Sequence, residues 1–156
     1  MLMHMANLSR GDAMPDTTLV GDAGPVKLRD RIGKPLVVYF YPKDETYGCT
    51  KEACSFRDQY EDFVAAGADV IGISADDAKS HASFRDHHKL PFTLLSDPGG
   101  KVASSWGVKK TLGILPGRVT FVFDKDGTVR HRFDSQLKFN QHVDDALAMV
   151  KSLATS

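Results

Sequence analysis

The spacing of apolar residues along the chain predicts both strands and helices. Continuous apolar runs predict buried strands, and the clearest is Leu36–Tyr41, which Pro42 ends. Apolar residues at helical spacing predict helices, and Gly67 ends the first of these, Cys49–Ala66. The predicted elements in chain order are a hairpin across residues 21–24, strand 36–41, helix 49–66, strand 69–74, helix 77–89, strand 92–95, short helix 100–106, a hairpin of strands 119–123 and 128–133, and a final amphipathic helix over residues 143–153.

The order of these elements predicts the fold class. Alternating strands and helices predict right-handed parallel crossovers, and the late hairpin adds antiparallel strands. We therefore expect an α/β fold of thioredoxin-like architecture: a mixed central β-sheet covered by helices on both faces, with an N-terminal strand extension. Because no repeat or low-complexity linker divides the chain, residues 1–156 are expected to form one domain, with residues 1–10 as a flexible tail.

Composition and charge exclude several classes of protein. The 156 residues are 42% hydrophobic and 26% charged, which is typical of a globular protein and not of a disordered one. A formal net charge of zero offers no attraction to nucleic acid or to an anionic membrane. No apolar run reaches the roughly 18 residues of a spanning helix, and no basic and apolar leader begins the chain. We expect a cytoplasmic monomer without nucleic-acid or membrane partners.

The two cysteines, Cys49 and Cys54, are the main candidates for chemistry. Cys49 is predicted to follow the central strand at the start of a helix, where sites in open α/β sheets lie, with Thr46 as the N-cap. The helix dipole and free amide groups there favour an anion such as a thiolate. A buried structural cysteine is the alternative. The cations available to a thiolate are Lys43, Lys51 and Arg118.

Three histidines share one predicted helix. His81 and His88 lie on one face but are seven residues apart, too far to be ligands of one metal, and His87 lies between them. A solvated helix face is the favoured interpretation, so no metal site is expected. We expect Trp106 to belong to the core.

The run YFYPKDETYGCTKEAC resembles the active-site segment of peroxiredoxins, and most of all that of the peroxiredoxin Q, or bacterioferritin comigratory protein, subfamily. Pro42, Thr46 and Cys49 match the family's Pro-three-residues-Thr-two-residues-Cys motif, and the distant Arg118 matches its separate arginine. The resemblance covers nearly the whole chain. One departure is Tyr47, which stands where the subfamily usually has proline. It loses the pre-organisation that proline gives a first helical turn and is expected to place its ring at the substrate pocket.

The resemblance implies a thiol-dependent peroxidase that reduces hydrogen peroxide and organic hydroperoxides without a cofactor. Cys49 would be the peroxidatic nucleophile that becomes a sulfenic acid, and Thr46 and Arg118 would bind the peroxide oxygens. Pro42 would shield the sulfur and shape the substrate pocket. Cys54 would be the resolving cysteine of an intramolecular disulfide, which thioredoxin or a similar dithiol would reduce.

Two other functions stay open at this point. A thiol-disulfide oxidoreductase on the same fold usually has two residues between its cysteines, whereas four lie between Cys49 and Cys54. A holdase or structural metal protein is the second alternative, and the lack of a second ligand pair makes a zinc site a poor fit.

Helix geometry constrains how the two cysteines could pair. On one helix, Cys49 and Cys54 would be separated by a rise of about 7.5 Å and a net turn of about 140°, which places their Cα atoms about 8.6 Å apart. A disulfide tolerates about 7 Å at most. We therefore expect the helix to unwind before the bond forms.

Overall fold

The computed structural model describes residues 8–111, 113 and 115–154, and its elements follow the predicted order. The strands are β1 (Thr18–Gly21), β2 (Gly24–Lys27), β3 (Leu36–Phe40), β4 (Asp69–Ser74), β5 (Thr93–Ser96), β6 (Val119–Phe123) and β7 (Val129–Asp134). The α-helices are α1 (Tyr47–Asp58), α2 (Tyr60–Ala65), α3 (Ala78–His88), α4 (Lys101–Ser105) and α5 (Phe139–Ala154), with 3₁₀ turns at Leu28–Arg31 and Pro98–Gly100.

The seven strands form one sheet in the order β2-β1-β5-β4-β3-β6-β7. The central strands β3, β4 and β5 are parallel, while β1, β2, β6 and β7 join by antiparallel pairing. Both predicted hairpins are present. The expected mixed sheet with an N-terminal strand extension is therefore confirmed.

The central strand β3 is buried on both faces, as its continuous apolar run predicts. Val37 and Tyr39 belong to an apolar cluster on one face, which α1, α2 and α5 cover. Val38 and Phe40 belong to the cluster on the other face, together with Trp106, which is fully buried. Val102 and Ala103 of α4 pack against this second cluster, so helices lie on both faces, and the C-terminal end of β3 leads the chain toward the start of α1.

The predicted helix over residues 49–66 is wrong in its extent. The chain forms two helices, because Gln59 leaves helical geometry with φ −103° and ψ 4°. The break reorients α2 so that Phe63 is fully buried, with its ring centroid 5.7 Å from that of Phe56. Periodicity could not show the break, since the apolar spacing continues across it and no proline or glycine marks it.

The N-terminal residues 1–7 of the expected flexible tail lie outside the described residues. Leu8 is buried, and its N–H group donates a hydrogen bond to the Trp106 carbonyl oxygen at 3.1 Å. No helix in the described part of the chain has the length and apolar character needed to cross a membrane.

Candidate active site

Cys49 is the third residue of α1 and is 1% exposed. Two N–H groups point at its sulfur: Arg118 Nη2 lies 3.4 Å and the Lys43 backbone nitrogen 3.5 Å from Sγ. These donors and the N-terminus of a twelve-residue helix all favour a thiolate over a thiol. Of the three cations expected near the sulfur, Arg118 contacts it through its charged group, whereas Lys43 contributes only its backbone.

Arg118 precedes β6, and its guanidinium is buried among several partners. Nη1 donates to Glu52 Oε1 at 2.7 Å, and Nε donates to the Gln136 carbonyl at 3.1 Å. The Phe139 ring lies against the guanidinium, 5.0 Å from its carbon to the ring centroid. Burial opposes the charge, but the Glu52 and Cys49 anions hold the pKa of Arg118 above its ordinary value. The group therefore presents a fixed positive charge to the sulfur.

Gly48 makes room for this packing. A Cβ atom at this position would lie 2.8 Å from Phe139 Cε1 and 3.0 Å from Arg118 Nη2. Any larger residue would have to displace the ring or the guanidinium beside Cys49. The sequence around Gly48 gives no sign of this constraint, because it comes from two distant segments.

Glu52 lies one turn after Cys49 on α1, is fully buried, and was missed by the sequence analysis. Its Oε1 accepts from Arg118, whereas its Oε2 is one of the buried side-chain atoms of the described residues without a hydrogen-bond partner. Burial raises the pKa of Glu52 to about 7, even though Arg118 lowers it. A carboxyl that titrates near neutrality thus lies next to the arginine that contacts the sulfur.

His142, from the first turn of α5, lies close to the free oxygen of Glu52, at 3.6 Å from Nδ1 to Oε2. Its Nε2 lies 2.7 Å from the Ser135 carbonyl oxygen and must donate, so in the neutral ring Nδ1 accepts from the Thr120 hydroxyl at 2.8 Å. Burial lowers the pKa of His142 to about 4. The ring is therefore neutral near pH 7, and the charge that balances Glu52 is on Arg118.

The other predicted site residues surround Cys49 less tightly. Thr46 occupies the N-cap position, but its hydroxyl donates to the Lys43 carbonyl at 2.7 Å and forms no capping hydrogen bond with the helix. Pro42 is half-buried. Tyr47 is 76% exposed, and Lys51 Nζ lies 5.8 Å from its ring centroid. Lys51 therefore contacts the tyrosine.

Cys54 lies on the same uninterrupted helix as Cys49, as predicted, and the break at Gln59 falls after both. Both cysteines are free, with Cys49 buried and Cys54 partly exposed. The folded state therefore keeps the two sulfurs on one intact helix.

A second buried network holds the loop between β3 and α1, and the prediction that His81 is solvated is wrong: it is 1% exposed. Asp44 accepts hydrogen bonds from the Tyr41 hydroxyl at 2.6 Å and the Ser80 hydroxyl at 2.8 Å. His81 Nδ1 lies 2.8 Å from Asp44 Oδ2, and its Nε2 lies 2.9 Å from the Leu95 carbonyl. Because both ring nitrogens face acceptors, both donate, and the ring is a cation paired with Asp44.

A helix-start cysteine beneath a buried arginine, on this mixed sheet, is the arrangement of a thiol peroxidase. Comparison with known proteins agrees with that class: the AhpC/TSA family model matches residues 10–132. The chain belongs to the AhpC/TSA family, within its peroxiredoxin Q group, and is a thiol-dependent peroxidase.

Individual relatives support this membership along nearly the whole chain. Chloroplastic peroxiredoxin Q of Sedum lineare is 51% identical over 150 residues, which cover 95% of this chain and 81% of that protein. Among solved structures, peroxidoxin BcpB of Mycobacterium tuberculosis has a TM-score of 0.85 at 38% identity, over 93% of this chain and 97% of that one. The bacterioferritin comigratory protein of Xanthomonas campestris, described for alkyl peroxide reduction, has a TM-score of 0.81 at 32% identity, over 92% and 99%.

The expected cytoplasmic location is wrong. The finding that overturns it is that relatives at 51–53% identity are chloroplastic proteins. The expectation rested on the lack of a recognisable leader, which is weak evidence about location.

Proposed function

We propose that Cys49 is the peroxidatic nucleophile of this peroxidase. The observation that carries the proposal is the contact between Arg118 Nη2 and Cys49 Sγ at the N-terminus of α1. The thiolate attacks one oxygen of the peroxide, the O–O bond breaks, and the other oxygen leaves as an alkoxide or hydroxide that takes up a proton. Cys49 is oxidised to a sulfenic acid, and the peroxide is reduced to an alcohol or water.

Three neighbouring residues have proposed roles in this step. Arg118 places N–H groups where negative charge develops on the oxygens, which stabilises the transition state. The Thr46 hydroxyl, three residues before Cys49, donates to the Lys43 carbonyl and keeps lone pairs that can accept from the peroxide O–H group. Pro42, half-buried at the end of β3, limits water access to the sulfur.

Cys54 is the proposed resolving residue. Its thiolate attacks the sulfenic sulfur of Cys49 and water is lost, which gives an intramolecular disulfide. The intact α1 holds the cysteines too far apart for this bond, so α1 must unwind first. One chain supplies both cysteines, which is consistent with a monomer, and thioredoxin or a similar dithiol would restore them.

The proposed substrates are hydrogen peroxide and organic hydroperoxides. The relative from Xanthomonas campestris, described for alkyl peroxide reduction, supports the organic class. The exposed ring of Tyr47, at the first position of α1, offers an apolar surface to the organic part of such a substrate.

The test combines intact mass with hydrogen exchange. One equivalent of peroxide should remove the mass of two hydrogens from the wild-type chain, whereas Cys54→Ser should gain one oxygen at Cys49. On oxidation, amides of residues 47–56 should lose protection while those of β3 keep it. Equal protection in both redox states, with the bond confirmed by mass, would contradict the unwinding step. A disulfide between two chains would contradict the role of Cys54.

A further inference from the structure

A cluster of three possible metal ligands lies on the surface where the loop after β3 meets the end of α3. Glu45 comes from the loop, with the unusual φ of 64°, and His87 and His88 are the last two residues of α3. We propose that Glu45, His87 and His88 form a binding site for a divalent transition-metal ion, and that Zn²⁺ fits their chemistry best.

The three side chains converge closely enough to share one ion. His87 Nδ1 lies 3.0 Å from Glu45 Oε2, and His88 Nε2 lies 2.9 Å from Glu45 Oε1. One ligand atom from each residue lies within 4.8 Å of the others. Ligands about 2.0–2.1 Å from a tetrahedral Zn²⁺ lie about 3.3 Å from one another. The distances from Glu45 to the two imidazoles are therefore within about half an ångström of the spacing that coordination needs, and the two histidine nitrogens already lie within 4.8 Å of each other.

Ligand type and exposure favour zinc with one water. Two imidazole nitrogens and one carboxylate are a ligand set that Zn²⁺ commonly takes, leaving a fourth position for solvent. The side chains of His87 and Glu45 are 66% and 43% exposed, so an ion and its water can reach the cluster. The ligand set contains no thiolate, so oxidation of the cysteines removes none of the three ligands.

The histidine rings are already held in place. The His88 ring packs edge-on against the buried Phe84 at 5.2 Å, and the His88 carbonyl accepts from Arg57 Nη1 at 2.8 Å. The centroids of the His87 and His88 rings are 4.2 Å apart. Because the ligands are partly ordered beforehand, less side-chain entropy is lost when an ion binds.

The other carboxylate–histidine cluster, formed by Asp44, Asp76 and His81, does not have this capacity. Its atoms already take part in buried hydrogen bonds: Asp76 Oδ2 accepts from the Asp44 backbone and the Ser74 hydroxyl, and both nitrogens of His81 donate. An ion there would have to displace these bonds. The ligand atoms are close together in both clusters. Only the cluster of Glu45, His87 and His88 is exposed to an incoming ion, and only the cluster of Asp44, Asp76 and His81 would have to give up buried hydrogen bonds.

Metal at Glu45 would also restrain the catalytic loop. Glu45 directly precedes Thr46 and is four residues before Cys49, so an ion would fasten the start of α1 to α3. Unwinding of α1, and with it disulfide formation, would become slower. This consequence rests on the proposed function, whereas metal binding does not.

Binding is tested first, in protein with both cysteines changed to serine so that thiols cannot bind the ion. Competition with a chromogenic chelator should show one Zn²⁺ per chain at the cluster. Glu45→Gln and His87→Ala should each weaken binding at least about tenfold, and Glu61→Gln, which changes an exposed acid on α2, should leave it unchanged. No binding, or equal binding in all variants, overturns the site.

The restraint is tested in the wild-type chain and in Glu45→Gln, which share every cysteine and histidine. Saturating Zn²⁺ should slow disulfide formation after peroxide addition in the wild type and less in the variant. Equal slowing would assign the effect to the thiols and overturn the restraint, while the site itself would stand. Failure of either protein to consume peroxide without Zn²⁺ would instead count against the proposed function.

Discussion

Two buried acid–histidine pairs lie near the loop between β3 and α1, and their histidines differ in charge. Asp44 and His81 lie 2.8 Å apart and form an ion pair. Glu52 and His142 lie 3.6 Å apart, and His142 is neutral because burial lowers its pKa to about 4. The same two kinds of side chain, equally shielded from water, therefore behave differently.

The difference arises at the ring nitrogen that faces the acid. In His81 that nitrogen faces Asp44 Oδ2 at 2.8 Å, and the Tyr41 hydroxyl 3.4 Å away donates to Asp44 instead, so Nδ1 keeps its proton. In His142 it accepts from the Thr120 hydroxyl. Glu52 consequently takes its counter-charge from Arg118, the residue that also contacts Cys49. One pair thus fixes the loop, while the other is linked to Arg118, the residue proposed to bind the peroxide oxygens.

Removing the acid from the first pair should give the largest effect on stability. Asp44→Ala leaves a buried histidine without its counter-ion, which should cost about 3–5 kcal/mol in urea unfolding. Asp44→Asn is the matched control and should cost less, because its amide can donate to a neutral ring. A small loss in the alanine variant would show that His81 is not charged.

Removing Arg118, which supplies the counter-charge of Glu52 in the second pair, should act mainly on catalysis. Arg118→Ala removes a donor from the sulfur and the counter-charge from Glu52, so peroxide attack in stopped-flow should slow roughly a hundredfold. Arg132→Ala is the control, since this half-buried arginine binds the Leu8 and Gly107 carbonyls away from Cys49. Similar slowing in both variants would mean that loss of packing, and not the contact with the sulfur, causes the effect.

Local patterns predicted most of the fold and the centre of the site. Strands such as β3 and β4 followed from short apolar runs, and the hairpin of β6 and β7 from a glycine turn, because each depends on adjacent residues. The spacing of Pro42, Thr46 and Cys49 is equally local, and the family resemblance that it carries then pointed to the distant Arg118.

The residues that were missed depend on contacts between distant segments. Glu52 looks like an ordinary polar position on α1, and only the approach of Arg118 and of His142 on α5 makes it a buried acid. The Glu45 cluster needs the loop to reach α3, and helical spacing alone had paired His81 with His88 on one solvated face. Sequence periodicity carries no information on such pairings.

Glu52 and His142 should have opposite effects on how the free energy of unfolding changes with pH. Glu52 has an ordinary pKa of 4.5 and about 7 in the fold, so between these values the folded protein holds the additional proton and stability falls as pH rises. His142 has an ordinary pKa of 6.5 and a pKa of about 4 in the fold. Between these values the unfolded chain therefore holds the additional proton, and stability rises with pH. Each slope is about 1.4 kcal/mol per pH unit, and the two cancel from about pH 4.5 to about pH 6.5.

Single variants should reveal the slopes that cancel in the wild type. Relative to wild type, Glu52→Gln should become more stable as pH rises through this window, and His142→Gln should become less stable. Urea unfolding at several pH values measures both. Curves parallel to that of the wild type would mean that the two groups titrate alike in the folded and unfolded states.

The smallest expected effect tests what keeps His142 unlike His81. Thr120→Val keeps the side-chain shape but removes the hydroxyl that donates to Nδ1, at a cost of about 1 kcal/mol of stability. A donor to Nδ1 favours the neutral ring, so its loss should raise the pKa of His142 above about 4 and let Nδ1–H turn toward Glu52 Oε2. Thr120→Ser keeps a hydroxyl and should leave the pKa of His142 unchanged.

NMR titration of the His142 imidazole measures the difference between the two variants. If the midpoint of the valine variant matches that of the wild type, burial alone keeps His142 neutral, and the contrast between the two pairs does not come from the partner at Nδ1.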